Sequence, residues 1–222
     1  MKQVKVITAQ EAALLVKDND VVASNGFVGS VQPEALTSAL EARFLETGAP
    51  RDLTLIYAAS QGNSDGRGGD HFAHEGMLKK AILGHWNAVT ALQKLVNANK
   101  IQAYNLPQGT LAQYFRDVAA HRVGTITHVG LETFADPRVS GGRLNDVTTE
   151  DFVKVIQIDG KDQLFYPRME INVALIRGTY ADEWGNVVLT KEIAPLDATS
   201  IAQAAHNSGG TVIVQVEKIV KG

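Results

Sequence analysis

Cysteine is missing altogether from the 222 residues, which excludes disulfides, thiolate nucleophiles and cysteine-based zinc or iron–sulfur sites. Charge of one sign is also scarce: 21 basic against 24 acidic residues leave a formal net charge of −3. So small a balance offers no electrostatic footprint for nucleic acid or an anionic membrane surface. No apolar run approaches the ~20 residues of a bilayer span. The stretch from Met1 to Ala13 lacks the apolar core of a secretory signal. These absences lead to the expectation of a cytoplasmic protein with no nucleic-acid and no membrane partner. What is present is an ordinary globular composition, 45% hydrophobic and 20% charged, in a chain large enough to bury a core without covalent staples. No linker or repeat divides it, so residues 1–222 are expected to form a single domain.

Short apolar, β-branched runs recur at residues 21–23, 53–57, 124–129, 171–176 and 211–216. Bounded by Gly, Asp or Asn, they read as buried strands. Segments with helical spacing lie between several of them. Thr8 can cap a helix, with Glu11 completing a capping box. Pro33 suits the first turn of a helix through Glu34, Leu36, Leu40 and Phe44. Residues 77–82, 89–96, 110–120 and 199–205 read as helical as well. This alternation specifies an α/β fold with an open, mostly parallel sheet flanked by helices. Residues 134–163, rich in Gly, Asp, Asn and Arg, read as an inserted β-hairpin region or a surface excursion.

In such sheets ligands gather at loops beyond the carboxyl ends of strands. Three loops there are unusual. Residues 24–33 carry two glycines and run into a helix whose first N–H groups can receive an anion. The segment is neither a dinucleotide fingerprint nor a Walker loop, and a tight β–α turn without a ligand fits it as well. Residues 58–76 form a long polar excursion containing His71, His74 and Glu75. Their order, H-x-x-H-E, is not a zinc motif, and no metal site is expected. The plainer expectation is that Glu75 and the histidines cap or salt-bridge a helix beginning there. In the third loop a short strand ends at Tyr104-Asn105 and a Pro107-Gln108-Gly109 turn enters a helix capped by Thr110. Gln108 supplies an amide at a strand end, and an amide aimed at a carbonyl oxygen can stabilise an oxyanion.

Together these loops resemble the family I CoA-transferases, in particular the acetate/propionate CoA-transferases related to the 3-oxoacid CoA-transferases. The likeness lies in Gly26-Phe27-Val28-Gly29-Ser30-Val31-Gln32-Pro33, Tyr57-Ala58-Ala59-Ser60-Gln61-Gly62 and Ala103-Tyr104-Asn105-Leu106-Pro107-Gln108-Gly109. It continues in residues 71–79, 84–86, 124–130 and 177–186, all in family order. Ser24-Asn25-Gly26 departs from the paired glycines that much of the family has before the Phe. The resemblance implies transfer of coenzyme A between a short-chain acyl-CoA and a carboxylic acid, with no permanently bound cofactor. It implies Gln108 as the oxyanion or carboxylate contact and Asn25, Gly26, Phe27, Val28 and Gly29 as the wall of the acyl pocket. Gln61, Asn105 and Gly109 stand beside them, with loop-bracing an equal role for Gln61 and Asn105. Arg177, Asp182 and Trp184 are expected to brace the fold or an interface.

Family members load CoA on a Glu of an E-N-G-type motif in their C-terminal half. No such motif occurs here. The resemblance therefore implies the N-terminal, α half, with a β subunit or C-terminal half as partner and an oligomeric enzyme. The run from Thr211 to Val220 reads as a buried final strand, in keeping with a half that is continued elsewhere. A sugar-phosphate isomerase-like or ligand-binding domain on the same scaffold is the rival reading, with Glu75 and His71 or His74 as acid and base. A non-catalytic fragment that folds and dimerises is another.

Overall fold

The structure, a computed structural model, describes residues 3–222. Its strands are β1 (Val21–Ser24), β2 (Leu53–Tyr57), β3 (Leu78–Leu83), β4 (Gln102–Asn105), β5 (Gly124–Thr127), β6 (Lys154–Ile158), β7 (Lys161–Pro167), β8 (Val173–Arg177), β9 (Tyr180–Asp182), β10 (Val187–Val188), β11 (Thr211–Gln215) and β12 (Lys218–Val220). Its helices are α1 (Ala9–Ala13), α2 (Glu34–Thr47), α3 (Thr90–Asn97), α4 (Gln108–Ala119) and α5 (Ala198–Asn207), with a 3₁₀ turn at Gly68–Phe72. Six strands form one sheet in the order β11-β8-β1-β2-β3-β4. Every pairing in it is parallel. The expected α/β architecture is what the chain adopts.

Successive residues of a strand face opposite sides of a sheet. Val22, Leu55, Tyr57, Ala81 and Leu83 accordingly meet α1, α2 and α3 on one face. Ala23, Ile56, Ile82 and Tyr104 meet α4 and α5 on the other. Burial on both faces explains why β2 is apolar without alternation, all five residues being buried. Both parts of the Thr8–Glu11 capping box at α1 are present. Helix α2 follows Pro33 as expected and ends at Gly48 in the left-handed conformation.

Four local expectations fail. Residues 77–82 are not helical but belong to β3, a central strand between β2 and β4. A short apolar run has no periodicity of its own to separate helix from strand, and pairing on both sides decides it. Hence no helix begins at Glu75, and the capping role expected there is absent. Thr110 does not cap α4, which starts two residues earlier, directly after Pro107. Residues 124–127 do form a strand as expected, though it pairs antiparallel with β7 in a separate sheet of order β5-β7-β6. The run from Thr211 to Val220 is two strands, not one buried one: β11 edges the main sheet, and β12, wholly exposed, pairs with β9. Of the two readings offered for residues 134–163, the hairpin holds only for the last part, as β6 and β7, which runs on to Pro167. It is joined by Asp159 and Gly160, both left-handed at φ 50° and 71°.

Candidate active site

The strand order reverses at β1, which has β2 on one side and β8 on the other. Such a switch point opens a crevice at the carboxyl ends, because the chain departs to opposite faces. After β1 it runs to α2, and after β8 it reaches α5. Asn25, at the tip of β1, spans this crevice. Its Oδ1 accepts from the Asp197 N–H at 3.1 Å and its Nδ2 donates to the Pro195 carbonyl at 3.4 Å. With 1% exposure, the Asn25 side chain is committed to holding the loop before α5. Its own N–H is engaged as well, donating to the Leu175 carbonyl at 3.0 Å.

The next residues make a tight ribbon. Phe27 and Ser30 exchange both backbone hydrogen bonds at 2.9 Å. Val28 donates to the Ser60 carbonyl at 2.6 Å and accepts from the Gly62 N–H at 2.9 Å. This seats the ribbon on the loop after β2 and leaves Phe27, Val28 and Gly29 exposed. Val28 and Val31 hold φ at 51° and 61°. That left-handed region is very unfavourable for a β-branched side chain, costing about 1–3 kcal/mol each, and such strain clusters at functional sites. Beneath the ribbon, Gln61 is fully spoken for: Ser24 Oγ donates to its Oε1, and its Nε2 donates to the Ser24 carbonyl, both at 2.8 Å. Gln61 therefore braces the loops.

The loops after β2, β3 and β4 converge at Gly84. A methyl there would lie 1.9 Å from the Ala58 carbonyl oxygen and 3.0 Å from the Gln108 Cα. Only the absence of a side chain lets the start of α4 lie this close to the end of β2. Gln108 and Gly109 are exposed at this junction, and the Gln108 amide makes no hydrogen bond to any described residue. Asn105, half-buried, leaves its Oδ1 buried without a donor, an arrangement that costs stability unless something supplies one.

His71, His74 and Glu75 do not face one another. His71 and His74 turn to Glu34 and Glu41 of α2, whereas Glu75 is exposed and pairs with Lys100 at 3.2 Å. The acid–base set that an isomerase would need is not assembled. Among the described residues no group of three or more His, Asp or Glu is disposed to hold a metal ion. Arg177 pairs with Glu192 at 3.1 Å, and Asp182 binds the Trp184 and Asn186 N–H groups, both at 2.9 Å. These contacts are structural. Sequence reasoning missed Asp70, whose Oδ1 accepts from Ala91 and Leu92 at the start of α3. It caps that helix from twenty residues upstream, beyond the reach of any local motif.

A parallel sheet with a switch-point ribbon and a free amide at a neighbouring strand end is one instance of a wider class. The coenzyme A transferase family model matches residues 6–222, and the chain belongs to that family. It is 40% identical over 220 residues to the Acetate CoA-transferase YdiF of Escherichia coli (strain K12), covering 99% of this chain and 41% of that protein. With the Caffeate CoA-transferase of Acetobacterium woodii it shares 42% identity over 213 residues, 96% of this chain and 41% of the relative. The chain thus spans about two-fifths of the length of these relatives. It also aligns, at 27% identity, with 74% of the α subunit of the E. coli (strain K12) acetate CoA-transferase over 82% of its own length, and it is of that α type. The structure of YdiF from E. coli O157:H7 as a thioester complex with CoA superposes with a TM-score of 0.96 at 40% identity, covering 99% of this chain and 45% of that one.

Proposed function

We propose that this chain is the α half of a short-chain acyl-CoA:carboxylate CoA-transferase of the acetate/propionate/3-oxoacid kind. It acts as one domain with a complementary half, a β subunit or C-terminal segment, in an oligomeric cytoplasmic enzyme. The observation that supports this best is the convergence of the ribbon, the Ala58–Gln61 loop and the unengaged Gln108 amide at one carboxyl edge of the sheet. No free, buried Glu stands among them, so the covalently loaded carboxylate is assigned to the partner half.

In this mechanism a partner glutamate attacks the thioester carbonyl of acyl-CoA. The C–S bond breaks, CoA leaves as the thiolate, and a mixed anhydride remains. The thiolate then attacks the glutamyl carbonyl, expels the first carboxylic acid as its anion, and leaves a glutamyl-CoA thioester. A second acid reverses these steps. Each tetrahedral intermediate places charge on an oxygen, which an amide N–H about 2.7–3.1 Å away stabilises. Gln108 is the donor from this half. Phe27, Val28 and Gly29 wall the acyl group, with the buried Asn25 and Gly26 behind them, and their apolar cover limits hydrolysis of the anhydride and thioester. Gly109 leaves room beside Gln108, and the orphaned Asn105 Oδ1 is a second polar contact. Coenzyme A enters as part of the substrate.

Incubating the purified chain with acyl-CoA and a free acid is expected to give no exchange and no CoA adduct by intact-mass spectrometry. Adding the complementary half is expected to give exchange, with the adduct on a Glu of that half. A thioester on a side chain of this polypeptide overturns the assignment.

A further inference from the structure

Beneath the candidate pocket lies a chain of charge that the transfer reading does not use. The His71 ring sits between two carboxylates of α2. Its Nδ1 lies 2.6 Å from Glu41 Oε2 and its Nε2 lies 2.9 Å from Glu34 Oε1. Neither carboxylate is spare: the second oxygen of Glu41 faces His74 Nε2 at 2.7 Å, and that of Glu34 accepts from the Gly68 N–H at 3.0 Å. A neutral imidazole has one N–H and one lone pair, so it can satisfy only one of these carboxylates. Only the imidazolium donates to both. The His71 side chain is only 10% exposed, so water cannot readily stand in for the lost partner.

The clamp connects to the pocket through backbone. Gly68 has φ 63°, and a methyl on it would strike the Gln32 Oε1 at 2.5 Å and the Gln61 carbonyl oxygen at 2.6 Å. The 3₁₀ turn is thus pressed flat against Gln61, whose carbonyl also accepts from the Gly69 N–H at 2.8 Å. Gly62 then donates to Val28, which donates to Ser60. Four hydrogen bonds, through Glu34, the 3₁₀ turn and Gln61-Gly62, link the His71 imidazole to the strained ribbon.

We propose that His71 is a positioning residue: as an imidazolium it clamps the Gly62–Phe72 loop to α2 and so holds the Val28 ribbon in its left-handed form, which loosens when His71 loses its proton. The consequence for catalysis rests on the transfer reading; the clamp itself does not. Burial disfavours charge on His71, but the hydrogen bonds to Glu34 and Glu41 outweigh it and hold its pKa above the ordinary imidazole value. Burial likewise opposes ionisation of Glu41, but the bonds from His74 and His71 keep its carboxyl below the usual range. The charged groups facing the ring are Glu34 and Glu41, with His74 behind Glu41. Asp70, beside His71 on the 3₁₀ turn, is directed instead to the N–H groups of Ala91 and Leu92 at the start of α3. A raised folded value means that the clamp is fully present below the unfolded value of ~6.5 and fades as pH rises through the folded one.

Nitrogen-15 NMR of the purified chain tests this. The His71 ring nitrogens are expected to keep imidazolium positions to a higher pH than an ordinary imidazole does. The protection factors of the Gly68, Gly62 and Val28 amides are expected to fall as His71 titrates, while those of Ala91 and Leu92 stay level. Glu34→Gln keeps the shape of the contact while removing its charge. It is expected to lower the His71 midpoint and reduce protection at the three amides by about tenfold, in line with loss of a charge-assisted hydrogen bond. His71→Leu should remove the pH response altogether; if it does not fold, Glu34→Gln alone decides. A His71 midpoint at or below the ordinary imidazole value of ~6.5, or a Val28 amide indifferent to both titration and Glu34→Gln, overturns the clamp. If the amides respond but the KM of an assembled transferase for its acid does not follow the same pH course, the clamp stands and the pocket role of the ribbon falls.

Discussion

Gln108→Leu in the assembled transferase is expected to slow formation of the enzyme–CoA thioester by about a hundredfold, the loss typical of one oxyanion donor. Single-turnover mixing with acyl-CoA reads this step without interference from product release. The substitution is unusually clean. Gln108 opens α4 but provides no side-chain cap, and its amide makes no bond within the described residues. Leucine has similar bulk and is a good helix former. The melting temperature should therefore stay put while the rate falls, so a chemical effect is separable from a folding one. An unchanged single-turnover rate dismisses Gln108 as the donor.

Gly84→Ala is expected to destabilise the chain by about 3 kcal/mol, the upper end of the ordinary range for overpacking. At this chain length that is a fall of about 6–12 °C in melting temperature, measured by calorimetry. The added methyl meets the Ala58 carbonyl oxygen at 1.9 Å, the Ala58 carbonyl carbon at 3.0 Å and the Gln108 Cα at 3.0 Å. All three are backbone atoms, and none can swing aside as the end of a side chain would. Relief requires β2 and α4 to part, so in the assembled enzyme the variant should also lose transfer rate by displacing Gln108. A variant that melts with the parent protein refutes the crossing geometry.

The sheet was legible because its central strands are short, apolar and buried on both faces, as Leu53 to Tyr57 are. The β3 strand was not, since Lys79 and Lys80 interrupt its apolar run and its identity comes from β2 and β4 rather than from its own spacing. The loops of the site could be found from their glycines and their position after strands. What each side chain does there could not. Asn25 and Gln61 look like ligands in sequence, but their amides are engaged by Pro195, Asp197 and Ser24, partners that only the folded chain brings near. The Glu75–His71–His74 grouping misled for the converse reason: neighbours in sequence can point to different elements, here to Lys100 and to α2.

The backward-bent Val28 of the ribbon sets heat resistance against selectivity. At position 28, exposed and with φ of 51°, glycine or asparagine relaxes the backbone at no cost in buried surface. Directed evolution screened on survival at high temperature alone would drift toward those residues. Its winners would lose the exposed Val28 side chain, and under the proposed function would discriminate less among carboxylic acids by length.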